Sequence, residues 1–253
     1  MPPIYLTDLI AVGLVGLAVI VMAIVWIANR KPPVNPYKNL STYDSIDALM
    51  HRSSEEGKAL LISMGEGFSG QNSSLGDSVG VLIEQILLSR SVFNDQPTHS
   101  FSGDSALACI SQLVLHGAYE NAMASELFRS EHTALSGVSG FGWMAGMLPE
   151  LARKGNGGMI LTGTMRPEHV LIADLAERKD VPLVAATGSL AAQAAFFVSG
   201  SEVTLGEDYY LPSIGKVNQR AYQNQAKTMN WIRGILVISL IVAALLKLSG
   251  VLP

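Results

Sequence analysis

Two stretches of the chain are almost wholly apolar, and between them short apolar blocks alternate with polar, glycine-punctuated ones. The first stretch, Leu9 to Ala28, is twenty residues of aliphatic side chains, glycine and one tryptophan. As a helix rising 1.5 Å per residue it measures about 30 Å, the thickness of a bilayer's hydrocarbon core. Its leader carries Asp8 and no Lys or Arg, so it reads as an uncleaved helix rather than a signal peptide. The second stretch opens near Trp231 and runs from Gly234 to Leu246, with Lys247 near its end. An amphipathic surface helix is the alternative there, but Ile235 to Ile238 and Leu240 to Leu246 are apolar all round. Gly13, Gly16, Ser239 and Ala243 are small enough to let such helices approach closely, and are equally ordinary in apolar helices.

These segments predict two transmembrane spans and four regions. Residues 1–30 hold the first span, 31–43 a linker stiffened by Pro32, Pro33 and Pro36, 44–228 an α/β domain, and 229–253 the second span. Arg30, Lys31 and Lys38 follow the first span, and Arg220, Lys227 and Arg233 precede or open the second. By the positive-inside bias the domain faces the cytoplasm and both termini face out, across a bacterial inner membrane. The helix 216–227 is then expected close to the bilayer. The lipid bilayer is thus the first expected partner, with further copies of the chain or other membrane subunits beside it.

In the middle region a helix is expected from Asp44, followed by a repeating pattern. Apolar runs at 58–64, 98–101, 132–135, 159–162, 181–186 and 202–205 each read as a strand, and the first five meet a Gly/Ser-rich turn and then a helical stretch. Short continuous apolar strands alternating with helices indicate a parallel sheet covered on both faces. With right-handed crossovers the fold class is α/β, a doubly wound, Rossmann-like, mostly parallel sheet flanked by the two terminal helices. The strand order is left open, and a helical bundle is the alternative.

Composition narrows the function classes. Hydrophobic residues make up 49% of the chain and charged ones 15%, with mean hydropathy +0.32, which excludes a disordered chain. Seventeen basic and 21 acidic residues give a net charge of −4 without a long basic run, so a nucleic-acid partner is not expected. The one cysteine, Cys109, excludes an intrachain disulfide framework and a multi-cysteine zinc site.

In a parallel sheet the strand-to-helix turns emerge at one edge, where helix N-termini present unpaired N–H groups. That edge is the expected ligand site, with Gly65, Gly67, Gly70, Ser102, Gly103, Gly137, Gly163, Thr164, Arg166 and Gly188 as its candidate binding residues. Gly65-Glu66-Gly67-Phe68-Ser69-Gly70 is a literal G-x-G-x-x-G after the first strand. It departs from the dinucleotide pattern in three ways: Glu66 sets a negative charge where a diphosphate rests, the helix starts late, and no ribose-binding acid stands about 20 residues on. Asp104 is placed to cap the next helix instead.

No Gly-Lys-Ser/Thr occurs, which excludes a Walker A loop. Arg166, Glu168 and His169 form the richest polar cluster at the presumed edge, with a solvated helix start as the plain alternative. His116 reads as structural, and His99 and His132 lie on or beside strands. Ser139 lacks the glycine that a nucleophile elbow needs at 141, where Phe141 stands. Glu207-Asp208 falls in a turn. No catalytic residue, metal site or cofactor follows from these motifs.

Leu61-Ile62-Ser63-Met64-Gly65, the strand leading to Gly163-Thr164, and Thr204-Leu205-Gly206-Glu207-Asp208-Tyr209-Tyr210-Leu211 follow one another in an order that resembles an uncharacterised bacterial family known only as a domain of unknown function. The resemblance covers roughly residues 45 to 222 and implies an α/β domain with hydrophobic helices at its ends. It implies no activity. Three functions are therefore weighed: a membrane-anchored scaffold that self-assembles, a binding module for a nucleotide or other anionic metabolite, and an enzyme using the same cleft.

Overall fold

The computed structural model of the chain describes residues 6–28, 41–66, 75–138, 140–210 and 219–248. In chain order the elements are α1 (Leu6–Ala28), α2 (Ser41–Glu55), β1 (Ala59–Gly65), α3 (Leu75–Ser91), β2 (His99–Ser102), α4 (Ser105–Asn121), β3 (Thr133–Leu135) and α5 (Gly140–Leu151). They continue with β4 (Asn156–Thr164), α6 (Val170–Arg178), β5 (Leu183–Thr187), α7 (Leu190–Val198), β6 (Glu202–Val203) and α8 (Gln219–Leu248). The chain divides into two compact units, one of residues Met1–Lys38 with Lys216–Pro253, the other of Asn39–Gly215. In the first unit α1 packs against α8.

The two expected spans are not upheld: among the described residues no helix is long and apolar enough to cross a membrane. The inner-membrane placement and the outward termini built on those spans fall with them. The described part of α8 carries Lys227 and Arg233 among its apolar residues. Nor do the glycines of α1 mark a tight helix contact: a Cβ at Gly13 or Gly16 would meet nothing within 4 Å among the described residues.

The second unit is an α/β fold around a six-stranded, all-parallel sheet of order β3-β2-β1-β4-β5-β6. A helical bundle is thereby excluded. Register is continuous across the centre, where Leu61 pairs with both His99 and Met159, and Met159 pairs in turn with Leu183. Alternate strand residues go to opposite faces. Leu61, Met159, Leu161 and Ala185 pack with Trp143, Met147, Ile172 and Phe196 of α5, α6 and α7. Leu60, Ile62, Ile160 and Val184 pack with Ile46, Ile83, Leu87 and Leu115 of α2, α3 and α4. Both faces are buried, which is why the strands read as unbroken apolar runs.

The order reverses at the centre of the sheet. From β1 the chain steps outward through β2 to β3, then crosses back to β4 and steps the other way. Neighbouring β1 and β4 therefore send their following loops apart and leave a crevice at their carboxyl ends, the topological switch point where ligands bind in open α/β sheets.

Candidate functional site

The floor of that crevice is glycine because the backbones crowd one another. β1 ends at Gly65, with φ +67°, where a Cβ would lie 2.5 Å from the Thr164 carbonyl oxygen. β4 turns at Gly163, with φ +94°, where a Cβ would lie 2.6 Å from the Met64 carbonyl oxygen. The Gly103 N–H after β2 donates to the Gly65 carbonyl at 2.7 Å. The Thr164 N–H donates to Asp77 Oδ1 in the first turn of α3 (3.1 Å), and the Gly163 N–H to the Tyr209 hydroxyl (3.1 Å). The buried Tyr209 hydroxyl donates in turn to the Gly76 carbonyl. These contacts tie α3 and the 206–210 turn onto the switch point.

Glu66 and Arg166 come from the two loops that diverge there. Glu66 follows β1, and its carboxylate meets Arg166 Nη2 at 2.8 Å through Oε2 and His169 Nε2 at 3.1 Å through Oε1. Arg166 is 57% exposed and also lies 3.7 Å from Glu168, whereas His169 is fully buried. A short 3-10 turn, Pro167–His169, brings His169 back under Arg166, whose N–H donates to His169 Nδ1 at 3.2 Å. Proline suits the first position of that turn because its φ is preset and it has no N–H to leave unpaired.

Because Nδ1 accepts, the proton of the neutral ring belongs on Nε2, facing Glu66. The approach there is close in distance but off hydrogen-bond geometry, and Nε2 has no hydrogen-bond partner. Trp143 of α5 packs edge-on to the imidazole, ring centroids 4.5 Å apart, and its indole N–H donates to Ser63 Oγ at 2.9 Å. On the other side stands Gly140, the first residue of α5. A Cβ there would collide with Glu66 Oε1 and lie 3.3 Å from His169 Nε2.

Burial sets the ionisation of the site. It lowers the His169 imidazole to about 4, so the ring is neutral near pH 7, and the Arg166 charge acts in the same direction. Burial also raises the Glu66 carboxyl above its usual range, against the pull of Arg166. The arrangement is one carboxylate held between a guanidinium, an imidazole N–H and the first turn of a helix.

Of the residues expected at the sheet edge, Gly65, Gly103, Gly163, Thr164 and Arg166 do come together around the switch point. Ser102 is buried below them, its hydroxyl donating to the Asp104 carbonyl at 3.2 Å. Gly188 lies apart, at the end of β5 under Tyr209 and Tyr210, and Gly137 packs on the backbone of α5 at Gly142. Gly67, Gly70 and Ser139 lie outside the described residues, as does the Glu207 side chain. Asp104 caps α4 through bonds from the Ala106 and Leu107 N–H groups, so the acid nearest a ribose position is engaged in its own helix.

One sequence reading changes: His169 belongs to a buried contact and not to a solvated helix start. His116 is exposed, 3.7 Å from Glu120 and edge-on to Phe128. Trp143 and Gly140 build the site although no motif marks them, because each reaches it from a distant part of the chain. His99 and His132 do meet, with rings 5.2 Å apart, but among the described residues no group of three metal-ligating side chains occurs.

A parallel sheet with a reversed centre and a charged crevice at the reversal places this unit among Rossmann-like α/β domains. The chain itself belongs to a family described as a domain of unknown function (DUF6754), whose model matches residues 4–252. No curated protein and no solved structure matches it.

Proposed function

We propose that the α/β unit is a binding module for a small anionic ligand, a nucleotide or another metabolite, received at the carboxyl ends of β1 and β4. The observation that supports this reading is the position of Arg166. It is a largely exposed guanidinium standing at the one place in the sheet where the strand order reverses and neighbouring loops part. A guanidinium there offers paired N–H donors to an anion.

Thermal denaturation of the intact chain against a panel of nucleotides and small anionic metabolites tests the reading. A ligand at 100 times its Kd adds about 2.7 kcal/mol of stability. In Arg166→Met the same ligand is expected to bind about 10- to 100-fold more weakly, the usual cost of losing a charge-assisted hydrogen bond. Silence across the whole panel, or equal shifts in both proteins, refutes it.

A second reading, self-assembly into a scaffold, draws on a different observation. Leu135, Val138 and Phe141 are exposed beside β3, and Phe197 and Val198 beside β6, at opposite edges of the sheet. Contact between unlike edges of successive copies is head-to-tail, which closes into rings or continues as filaments.

A further inference from the structure

We infer that the Glu66 carboxylate occupies the seat of a ligand's carboxylate, as an internal stand-in that a small carboxylate ligand replaces on binding. This rests on the anion-binding reading above and adds the chemical class of the anchoring group.

Three groups from two separate parts of the chain converge on Glu66. Arg166 after β4 meets Oε2 at 2.8 Å, the buried His169 ring sets Nε2 at 3.1 Å from Oε1, and Gly140 opens α5 against the same oxygen. A helix start carries partial positive charge that favours an anion. The seat thus combines a full charge, a neutral N–H donor and a helix end, which together suit a carboxylate. Its walls are close. The Gly140 backbone lies close against Glu66 Oε1, which favours a planar group with two oxygens over a tetrahedral phosphate with a third to accommodate.

Glu66 satisfies this seat incompletely, and that imperfection points to another occupant. His169 Nε2 is fully buried and aimed into the seat, yet it has no hydrogen-bond partner. Leaving a buried donor unmet is costly, and native structures rarely do so. Glu66 is fastened at its own backbone, between Gly65 at φ +67° and a bond from its N–H to the Thr164 carbonyl. A carboxylate on a separate molecule is under no such restraint and can turn to accept from Nε2 at a proper angle while keeping Arg166.

The test uses the full chain with Trp26 and Trp231 replaced by Phe, so that emission reports Trp143 alone beside His169. Glu66→Ala, Glu66→Gln and the parent are titrated with sodium acetate, sodium phosphate and sodium chloride at matched ionic strength, and melting temperature is followed in parallel. Glu66→Ala is expected to show a saturable rise in melting temperature and an emission change with acetate, weaker with phosphate and absent with chloride. Adding Arg166→Met to Glu66→Ala is expected to weaken the acetate response by about tenfold or more. Glu66→Gln, a neutral and weaker occupant, is expected to respond at acetate concentrations between those needed by Glu66→Ala and by the parent. The parent is expected to need about tenfold more acetate, because its tethered carboxylate competes at high effective concentration.

Equal responses of Glu66→Ala to acetate and chloride, or an acetate response indifferent to Arg166→Met, overturn the inference. If Glu66→Ala does not fold in chloride, recovery in acetate supports it. Failure of both Glu66→Ala and Glu66→Ser to recover in acetate overturns it. The two proposals part cleanly: acetate filling Glu66→Ala while the ligand panel leaves the parent unmoved preserves the seat and defeats the functional reading. A nucleotide that binds the parent through Arg166, with no acetate-specific response in the variants, does the reverse.

Discussion

Glu84 shows how far a single side chain can depart from its solution chemistry. It is fully buried on α3, and its carboxyl accepts from the hydroxyls of Ser100 and Ser111, two neutral donors. Burial raises it to about 7. Between its ordinary 4.5 and about 7 the folded chain holds this proton and the unfolded chain does not, so stability falls as pH rises through that window. His169 runs the other way. Between about 4 and its ordinary 6.5 only the unfolded chain is protonated there, so stability falls as pH drops. Each effect amounts to roughly 3 kcal/mol over its full window, and across the overlap the two oppose each other. Urea denaturation from pH 4.5 to 7 is expected to show Glu84→Gln losing stability on acidification relative to the parent, and His169→Gln gaining it. Parallel profiles in all three proteins contradict these assignments. Glu84 does not announce itself in the sequence, since it sits in an apolar helix where a solvated face is the natural expectation; His169 stands out beside Arg166 and Glu168, but its burial does not.

At the scale of elements, β4 is the strand whose extent differs most from its apolar run. The run begins at Met159, but the strand begins at Asn156, because Asn156 and Gly158 pair with β1, with Gly157 passed over at a register shift, instead of turning. The two glycines leave room for α2. A Cβ at Gly157 would lie 2.9 Å from Ser53 Cβ, and one at Gly158 would run into the Leu49 side chain. A glycine pair before a strand reads as a turn because conformational freedom is all that local sequence reveals; close approach of a helix from 100 residues earlier is not encoded nearby. Gly158→Ala is expected to cost about 1–3 kcal/mol through overpacking, read as a lower urea midpoint with unchanged m-value. Gly163→Ala combines a Cβ 2.6 Å from the Met64 carbonyl with φ +94°, and is expected to be the more damaging of the two. If Gly163→Ala proves neutral, the crowded floor of the crevice is wrong.

For the whole molecule, the exposed apolar residues at the two sheet edges set the expectation. Native mass measurement of the intact chain is expected to find multiples of the 26.9 kDa protomer, and Phe197→Asp with Val198→Asp to return it to the single copy. A strictly monomeric parent removes the self-assembly reading and leaves the crevice untouched. Apolar segments at both ends of the chain predicted two spans, and the described helices do not support them. Total hydrophobicity says that a segment avoids water. Length and interrupting charge decide whether a helix can cross a bilayer.

The alternation of six strands with helices was written in the chain itself, because a sheet buried on both faces needs unbroken apolar runs and glycine-marked turns wherever it is built. The helix cap at Asp104 and the polar residues that follow β1 and β4 were equally local, each set by residues adjacent in sequence. Strand order, and with it the crevice between β1 and β4, came only from the tertiary structure, since parallel pairing joins residues such as Leu61 and Met159 that share no local signal. The same holds for the seat of Glu66. Its charge was legible, but Arg166, His169 and Gly140 meet it from 74 or more residues away, and only packing could gather them around a glutamate within a glycine-rich string.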